Sequence, residues 1–259
     1  MLVTRTQPGP AKIAGIRPGD TILEVDGASV ASLSFEEAVG RIVGRAGSSV
    51  ELRVLRDDRS LSYDLVRRRF ASPSVDVRML AGGIGSIHVA RFAVGTADAV
   101  RAGTRTLEAQ GARGLVLDLR DNPGGLLQQA VGVASVFLDE GQTVASLAGA
   151  HRRDALIYAR GGDKTSLRLV VLVDRGSASA AEVVAAALHD HGRATLVGEP
   201  TFGKSLVQEI DRLASGGALK LTVATYRTPT GHDISAGGVV PDVVTTRPLE
   251  RALALLASA

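Results

Sequence analysis

The sequence of 259 residues contains no cysteine, and only 3% of its residues are aromatic. The absence of cysteine excludes disulfide bonds, thiolate metal ligands and a cysteine nucleophile. The densest basic run, Arg67-Arg68-Arg69, has no aromatic residues interleaved with it. Because nucleic-acid binding surfaces combine basic side chains with aromatic stacking platforms, we do not expect this chain to bind nucleic acid.

Long apolar runs are also missing from the sequence. No stretch approaches the roughly 20 apolar residues that cross a bilayer, and the opening residues MLVTRTQPGP lack the basic start and apolar middle of a signal peptide. We therefore expect a soluble chain that carries no targeting segment. The net charge is only +3, and the hydrophobic fraction of 45% is that of an ordinary globular protein of one or two domains.

The N-terminal part of the chain shows short apolar runs punctuated by turn residues. The runs at 22–25 and 50–54 predict strands, because apolar residues alternate in the second run as in a half-buried strand. Residues 34–43 begin with a serine cap, carry Glu37 three residues later and place apolar residues at helical spacing, which predicts one amphipathic helix. Residues 67–80 have little periodicity, so we predict a short junction between two domains there.

From residue 81 onward, strand and helix patterns alternate along the chain. Apolar runs typical of strands are followed by longer stretches with apolar residues at helical spacing, an order that predicts an α/β layered core. The strand patterns lie at 84–89, 114–119, 167–173, 194–197 and 218–228, and the helical patterns lie at 96–109, 126–137, 180–189 and 248–256.

Ser179 is the first candidate for chemistry, because it lies where an apolar strand passes through small residues into a helix. A nucleophile at a helix start faces unpaired backbone N–H groups and the positive end of the helix dipole, and both favour a developing oxyanion. Serine is also a common helix cap, so the segment alone favours capping over catalysis. A catalytic role needs, in addition, a base that removes the hydroxyl proton.

Two residue types can supply such a base, histidine and lysine. The five histidines are scattered and show no triad order. Lys204 is the other option, since Ser-Lys pairs are a known variant of the triad. It lies in the segment GEPTFGKSLVQ, among residues that can be buried, whereas Lys220 alternates within a predicted strand. Burial lowers the pKa of a lysine, as a general base near neutral pH requires, but a surface position in a loop stays possible.

The segment from Gly198 to Ser205 also matches the phosphate-binding pattern G-x-x-x-x-G-K-S. A phosphate loop opens a helix, but the residues after Ser205 resemble a strand and Pro200 lies inside the loop. No acidic residue at the end of a second strand stands out as a partner for the loop. Nucleotide binding is therefore disfavoured but stays open at this point.

A second turn, at 118–125, ends another buried-type strand with the sequence DLRDNPGG. Its two glycines permit backbone conformations that direct N–H groups towards a ligand. By itself this is an ordinary strand-to-helix turn, and it gains meaning only in combination with the serine.

Taken together, these segments resemble the C-terminal-processing peptidases, also called tail-specific proteases, a Ser-Lys family known as peptidase family S41. The resemblance covers most of the chain. It rests on AGIRPGDTILEVDG at 14–27, which is similar to a PDZ domain, and on three core segments in the order of the family, DLRDNPGG, GSASAAE and VGEPTFGK. The resemblance also answers the phosphate-loop question, because Lys204 then belongs to a catalytic pair.

The resemblance implies a serine endopeptidase that cleaves near protein C-termini through an acyl-enzyme intermediate, without a metal ion or a cofactor. It implies Ser179 as nucleophile, Lys204 as general base and Gln208 as the residue that orients the lysine. The backbone N–H groups of Gly125 and Ala180 would form the oxyanion hole. The expected partners are protein or peptide substrates with exposed C-termini, and a second copy of the chain in a homo-oligomer, but neither nucleic acid nor metal.

The resemblance also implies a domain organisation and a fold. Residues 1–66 are expected to form a PDZ domain, incomplete at its N-terminus, that binds C-terminal residues and gates access to the site. Residues 67–80 are the expected junction and residues 81–259 the Ser-Lys peptidase core, with the crotonase-like or ClpP-like α/β layered fold. Kinship with the family, rather than any residue of this chain, implies an extracytoplasmic or cell-envelope location.

Two other classes of function stay open. A PDZ-containing adaptor with a catalytically silent core would not need Ser179, Lys204 and Gln208 together. A crotonase-like acyl-transfer enzyme would not need a PDZ domain. Both features favour the peptidase.

Overall fold

The structure, a computed structural model, describes residues 1–3, 6, 9–33, 35–68, 73–149, 154–161, 164–212 and 218–257. The chain divides into two compact units, Met1–Ser72 and Pro73–Ala259. Within the described ranges, a helix with the length and hydrophobicity of a membrane span is not found.

The N-terminal unit consists of a sheet and short helices. Its elements are α1 (Pro10–Ile13), β1 (Thr21–Val25), β2 (Ala28–Ser29), α2 (Phe35–Ile42), β3 (Ser49–Arg56) and β4 (Arg59–Val66). The strands form one antiparallel sheet in the order β2-β1-β3-β4. Its core contains the fully buried side chains of Val25 and Val54.

The sequence predictions for this unit are confirmed at the level of its elements. The strand predicted at 22–25 is β1, and the strand predicted at 50–54 is β3, in which every second residue from Val50 to Val54 is buried. The amphipathic helix predicted at 34–43 is α2. Ser34, its predicted cap, lies outside the described residues.

The C-terminal unit is built around a larger sheet. The strands are β5 (Val75–Leu80), β6 (Ile84–Val89), β7 (Gly114–Asp118), β8 (Thr143–Gly149), β9 (Ala155–Tyr158), β10 (Arg168–Val173), β11 (Ala194–Gly198), β12 (Leu206–Arg212), β13 (Ala218–Arg227) and β14 (Val243–Val244). The helices are α3 (Thr96–Ala109), α4 (Leu127–Ala134), α5 (Ala180–Asp190) and α6 (Pro248–Ala257). The larger sheet has the order β14-β11-β10-β7-β6-β5, and another, antiparallel sheet has the order β12-β13-β8-β9.

The larger sheet is covered by helices on both faces. Leu169, Val171 and Val173 of β10 pack with α3, α4 and α5, whereas Val170 and Leu172 pack with α6. A strand buried on both faces needs apolar residues at every position, which explains the continuous run LVVLV from Leu169 to Val173 after the exposed Arg168. The predicted α/β layered core is therefore confirmed.

The parallel strands of this sheet place the candidate residues at one edge. β10 pairs in parallel with β7 on one side and with β11 on the other, so that their carboxyl ends meet. The turn at 119–126 leaves this edge towards α4, the turn at 174–179 leads to α5, and the loop at 199–205 leads to β12. Ligands of open α/β sheets bind at the carboxyl ends of the strands. The topology thus brings the glycine turn, Ser179 and Lys204 together.

Some strands were not predicted. β5 lies inside the stretch 67–80, where the sequence analysis expected no regular element, and it pairs antiparallel with β6 at the edge of the sheet. The run VDVRML alternates only over its first four residues, with Val75 and Val77 partly buried and Asp76 and Arg78 exposed. β8 was missed because small and polar residues interrupt its apolar run, and β9 because its apolar run has only four residues.

Candidate active site

Ser179 lies between β10 and α5 and is the N-cap residue of that helix, as the sequence predicts. Its φ of 56° and ψ of −115° lie outside the regions that non-glycine residues normally occupy. Such a conformation costs on the order of 1–3 kcal/mol and persists only where neighbouring contacts hold it, which happens mostly at functional sites. The half-buried Ser179 therefore caps α5 from a backbone conformation that differs from the extended one of an ordinary N-cap residue.

The carboxylate of Glu182 contacts the segments of both candidate catalytic residues. The side chain is completely buried, at 0% exposure. Its Oε2 accepts hydrogen bonds from the backbone N–H groups of Ser179 at 2.7 Å and Lys204 at 2.9 Å. Its Oε1 accepts from the backbone N–H of Gly203 at 2.7 Å and from the hydroxyl of Thr201 at 2.5 Å. One buried carboxylate therefore fixes the backbone of Ser179 relative to the backbone of Lys204.

The loop that carries Lys204 is also fixed from its other side, by Gly238 and Val239. The backbone N–H of Thr201 donates to the carbonyl oxygen of Val239 at 3.1 Å, and the backbone N–H of Val239 donates to the hydroxyl oxygen of Thr201 at 2.7 Å. Gly238 has a φ of 75° and lies so close to Thr201 that a Cβ atom there would overlap its carbonyl oxygen. The backbone before Lys204 thus has a defined position.

The side chain of Lys204 is exposed. Within the described part of the chain, no hydrogen bond joins this side chain to that of Ser179. The structure therefore brings the backbones of the two residues onto one carboxylate and leaves their side chains unpaired with each other. The segment after Lys204 continues as strand β12 rather than as a helix, so the phosphate-loop hypothesis is wrong.

Gln208, the third residue expected at the site, lies in β12. Its backbone is opposite Thr222 of β13. Its side chain lies outside the described part of the structure. The orienting role expected for Gln208 therefore stays a prediction.

The turn with Gly124 and Gly125 packs directly against the serine. A Cβ atom on Gly124 would lie 2.7 Å from the carbonyl oxygen of Ala178, 2.9 Å from the Cβ of Ser179 and 3.0 Å from the backbone nitrogen that follows it. A Cβ atom on Gly125 would overlap the carbonyl oxygen of Phe92. Since both residues also have positive φ angles, 99° and 139°, only glycine fits at either position.

The peptide group between these two glycines has a defined direction. The carbonyl oxygen of Gly124 accepts a hydrogen bond from the N–H of Phe92 at 2.9 Å. Because N–H and C=O point in opposite directions in a trans peptide, the N–H of Gly125 points away from Phe92. The N–H of Gly124, in contrast, donates to the side chain of Asn122 at 2.9 Å. The N–H of Gly124 is therefore used within the turn, whereas the N–H of Gly125 is directed away from the turn's own hydrogen bonds.

Asp118 and Arg120 form an ion pair just before this turn. Arg120 donates to the two carboxylate oxygens of Asp118 at 2.8 and 2.6 Å, and Asp118 is only 6% exposed. The hydrogen-bonded carboxylate raises the pKa of Arg120 above its usual value. The pair stabilises the end of β7 from which the glycine turn departs.

The histidines near the end of α5 lie at the opposite end of the helix from Ser179. His189 contacts the carboxylate of Asp242 at 3.0 Å, and His191 contacts the carbonyl oxygen of Thr143 at 2.7 Å. Both therefore have structural partners. Among the described residues, no group of three or more His, Cys, Asp or Glu side chains is arranged to hold a metal ion.

The sequence analysis did not single out Glu182 as a functional residue. The signal was present, because Glu182 stands among alanine, valine and leucine residues from Ala180 to Leu188. A carboxylate on an entirely buried stretch of helix needs hydrogen-bond donors from elsewhere in the fold. The identity of these donors depends on the order of the strands in the sheet, and the sequence pattern does not reveal that order.

Comparison with known proteins agrees with this geometry. The sequence pattern of peptidase family S41 matches residues 83–245, and that of a PDZ domain matches residues 2–56. The chain belongs to peptidase family S41. The S41 chain is 38% identical over 246 residues to the carboxyl-terminal-processing protease of Synechocystis sp., spanning 93% of this chain and 57% of that protein. It is 37% identical over 250 residues to the carboxy-terminal processing protease CtpA of Bacillus subtilis, spanning 96% of this chain and 53% of that protein.

Among solved structures, the S41 chain is similar to the photosystem II D1 C-terminal processing protease. The two are 34% identical with a TM-score of 0.73, over 99% of this chain and 72% of that one. A lipoprotein from Streptococcus agalactiae, 21% identical with a TM-score of 0.60 over 72% of this chain and 70% of that one, shares the fold. The S41 chain spans little more than half the length of the two curated relatives.

Proposed function

We propose that this chain is a serine endopeptidase in which Ser179 is the nucleophile and Lys204 is the general base. The observation that carries the proposal is the buried carboxylate of Glu182, which accepts hydrogen bonds from the backbone of both residues. A capping box accounts for the hydrogen bond from Ser179, but an ordinary helix cap does not need the further hydrogen bond from the backbone of Lys204 to the same carboxylate. Membership of peptidase family S41 supports the same assignment.

In the first step the hydroxyl oxygen of Ser179 attacks the carbonyl carbon of the scissile peptide bond while Lys204 accepts the hydroxyl proton. A lysine acts as a base only in its neutral form, and removal of water favours that form. The side chain of Lys204 is exposed in the free protein. A substrate chain that lies across the site would cover it, so binding itself would prepare the base. Phe202, with 67% of its surface exposed, offers an apolar contact for that chain.

The oxyanion that forms in this step is stabilised by the backbone N–H groups of Gly125 and Ala180. Ala180 is the first residue of α5, where N–H groups have no partner within the helix and the helix dipole is positive. The N–H of Gly125 points away from the Phe92 contacts, as described above. Donors placed in advance around a developing negative charge are the largest contribution to catalysis in many hydrolases.

The reaction is completed through an acyl-enzyme. The protonated Lys204 gives its proton to the leaving amine, the peptide bond breaks, and an ester joins Ser179 to the acyl part of the substrate. Lys204, neutral again, takes a proton from water, the hydroxide adds to the ester carbonyl, and the acid product leaves as Ser179 recovers its proton. Gln208 would orient Lys204, since it lies on β12, the strand that directly follows the loop at 199–205.

The substrates are proposed to be proteins with exposed C-termini, and the site of action the cell envelope or the space beyond the cytoplasm. The printed names of the two curated relatives, which describe carboxyl-terminal processing, support the substrate class. The PDZ match at 2–56 supports recognition of C-terminal residues by the N-terminal unit. Assembly into a homo-oligomer is part of the same proposal. A PDZ domain in the N-terminal unit and a peptidase core in the C-terminal unit are part of the same proposal. The unit boundary at 72/73 assigns β5, inside the predicted junction 67–80, to the core.

The test is the digestion of an unstructured protein, casein, by the wild-type chain and by Ser179→Ala and Lys204→Ala. Because the two side chains are the proposed nucleophile and base, each variant should lose at least about 10³-fold in rate. Circular dichroism and thermal unfolding should be unchanged for both. A fluorophosphonate probe, which reacts with activated serines, should label the wild type and neither variant.

The outcomes separate the competing functions. Retained cleavage in either variant would refute the Ser-Lys assignment. No cleavage and no labelling by the wild type would refute the peptidase and favour an adaptor with a silent core. Turnover of an acyl-coenzyme A thioester without cleavage of casein would favour a crotonase-like acyl-transfer enzyme.

A further inference from the structure

The turn that precedes Ser179 and the turn that holds Gly125 are joined to each other by Asp174. The backbone N–H of Asp121 donates to Oδ1 of Asp174 at 2.9 Å, across the gap between the two turns. The backbone N–H of Gly176 donates to the same oxygen at 2.9 Å. A single carboxylate oxygen therefore accepts hydrogen bonds from both turns.

Ser177 adds a second connection at the same place. Its side chain is completely buried, with 0% exposure. The hydroxyl donates to the carbonyl oxygen of Leu119 at 2.8 Å, in the other turn, and accepts from the backbone N–H of Asp174 at 3.0 Å. A backbone hydrogen bond of 2.9 Å from Ala178 to the carbonyl oxygen of Asn122 completes the set.

The two turns are also in steric contact where Asp174 joins them. A Cβ atom on Gly176 would lie 2.9 Å from the Cα of Asp121, so the backbones touch directly. Asp121 has a φ of 55°, in the left-handed region that favours glycine. Its N–H is held in this orientation by the carboxylate of Asp174. Without that acceptor, Asp121 would lose the contact that offsets its backbone strain.

We propose that Asp174 is a positioning residue, which sets the distance between the two N–H groups of the oxyanion hole by clasping the turns that carry them. The proposal rests on the function proposed above, in which Gly125 belongs to one turn and Ala180 follows the other. Oxyanion donors act at 2.7–3.1 Å from the oxyanion, and a shift of a few tenths of an ångström weakens them. The side chains of Asp174 and Ser177 together form this clasp.

Asp174→Ala removes the shared acceptor. We expect kcat on a fluorogenic peptide to fall roughly 10- to 100-fold, less than the loss of a whole oxyanion donor, with KM changed less than about 3-fold. The inhibition constant of a peptide aldehyde, whose adduct with the serine places an oxygen in the oxyanion hole, should rise by the same factor as kcat/KM falls. If the substitution only lowered the stability of the fold, the kcat of the molecules that remain folded and their inhibition constant for the aldehyde would both stay at the wild-type values.

Two conservative variants show whether kcat depends on the position of the Asp174 oxygen or on its negative charge. Asp174→Asn keeps an oxygen at the Oδ1 position, so it should stay within about 3-fold of the wild-type kcat. Asp174→Glu keeps the charge but moves the oxygen by one methylene group, so kcat should fall as in Asp174→Ala. Asp139→Ala is the matched control, because Asp139 makes an exposed ion pair with Lys164. Its kcat should equal that of the wild type.

Hydrogen exchange of residues 119–125 tests the clasp without any turnover. Exchange should be faster in Asp174→Ala than in the wild type and unchanged in Asp174→Asn. If the wild type cleaves nothing, the proposed function fails, and the exchange result alone decides the clasp. Equal exchange in all variants, or a wild-type kcat in Asp174→Ala, overturns the clasp even if Ser179→Ala abolishes cleavage. If Asp174→Ala does not fold, the same test compares Asp174→Glu, which should have a lower kcat, with Asp174→Asn, which should have a kcat near that of the wild type.

Discussion

Glu182 is a buried carboxylate whose described partners are three backbone N–H groups and one hydroxyl, with no cationic side chain among them. Each of its oxygens accepts two hydrogen bonds. The negative charge is thus stabilised by N–H and O–H dipoles that come from the turn at 174–179 and from the loop at 199–205. At the scale of single residues, this side chain couples the folding of α5 to the position of Lys204.

Glu182→Gln tests that coupling. A glutamine amide directs its NH2 group at two of the four donors in either orientation, so two hydrogen bonds are lost and donors face each other. We expect a loss of about 1–3 kcal/mol in the free energy of unfolding and a fall of roughly 100-fold in kcat. Peptide hydrolysis and urea unfolding measure the two effects. Glu250→Gln, on the exposed surface of α6, should change neither, and a wild-type kcat in Glu182→Gln would contradict the role.

Sequence patterns singled out the candidates whose chemistry shows in their neighbours along the chain. Ser179 stood out because small residues surround it between a strand and a helix, and Lys204 because glycine and apolar residues surround it; their catalytic roles stay predictions. The same patterns did not single out Glu182 or Asp174. Their partners are backbone groups from other turns, and a backbone N–H leaves no trace in the sequence.

At the scale of elements, the glycine turn after β7 is determined by close packing. Gly124 has no room for a Cβ atom between the carbonyl oxygen of Ala178 and the side chain of Ser179. The turn can approach Ser179 only because Gly124 has no side chain. Substitution at Gly124 should therefore act on catalysis through displacement of the whole turn.

Gly124→Ala should lower kcat by roughly 100-fold or more, because the added methyl group pushes the turn away from Ser179. Gly141→Ala is the matched control. Gly141 also has a positive φ, 82°, but a Cβ atom there meets nothing within 4 Å. Both variants should lose about 1 kcal/mol or more of stability through backbone strain, and only the first should lose activity. Equal kcat values in the two variants would show that packing at Gly124 is unimportant.

Elements with a clear hydrophobic period were predicted well, and those without it were not. The predicted helix at 96–109 has the same bounds as α3, and the predicted strand at 194–197 differs from β11 by one residue. β5 and β9 were missed because their periodic or apolar runs are only about four residues long, and β8 because small and polar residues interrupt its apolar run. The order of strands in a sheet was not predictable either, since pairing is a contact between distant segments.

At the scale of the whole molecule, the N-terminal unit has its own source of stability in an ion pair. Asp20 is 1% exposed and accepts hydrogen bonds from Arg56 at 2.6 Å to each oxygen, and from the N–H of Arg17 at 2.8 Å. The hydrogen bonds from Arg56, more than any other contact, hold the pKa of Asp20 below its usual value. The ion pair joins the turn before β1 to the end of β3.

This pKa shift predicts how the N-terminal unit responds to acid. Because the folded pKa is below the unfolded value of about 3.9, the stabilisation is fully present above that pH and is lost as the pH falls through the folded pKa. Asp20→Asn should therefore be less stable than the wild type at pH 7, and the difference should shrink below about pH 4. Hydrogen exchange in β1 and β3 measures it. Asp64→Asn, an exposed change on β4, should stay within about 0.5 kcal/mol of the wild type, and a constant deficit for Asp20→Asn would contradict the ion-pair explanation.

The contacts of the loop at 199–205 also bear on the order in which the chain can fold during synthesis. The backbone of this loop is held by Thr201, which in turn depends on Val239, a residue synthesised long after the serine. A growing chain that already contains Ser179 therefore still lacks the segment that fixes the backbone before Lys204. We expect the proposed pair of Ser179 and Lys204 to take up its final arrangement only when Val239 has been synthesised and most of the C-terminal unit can fold.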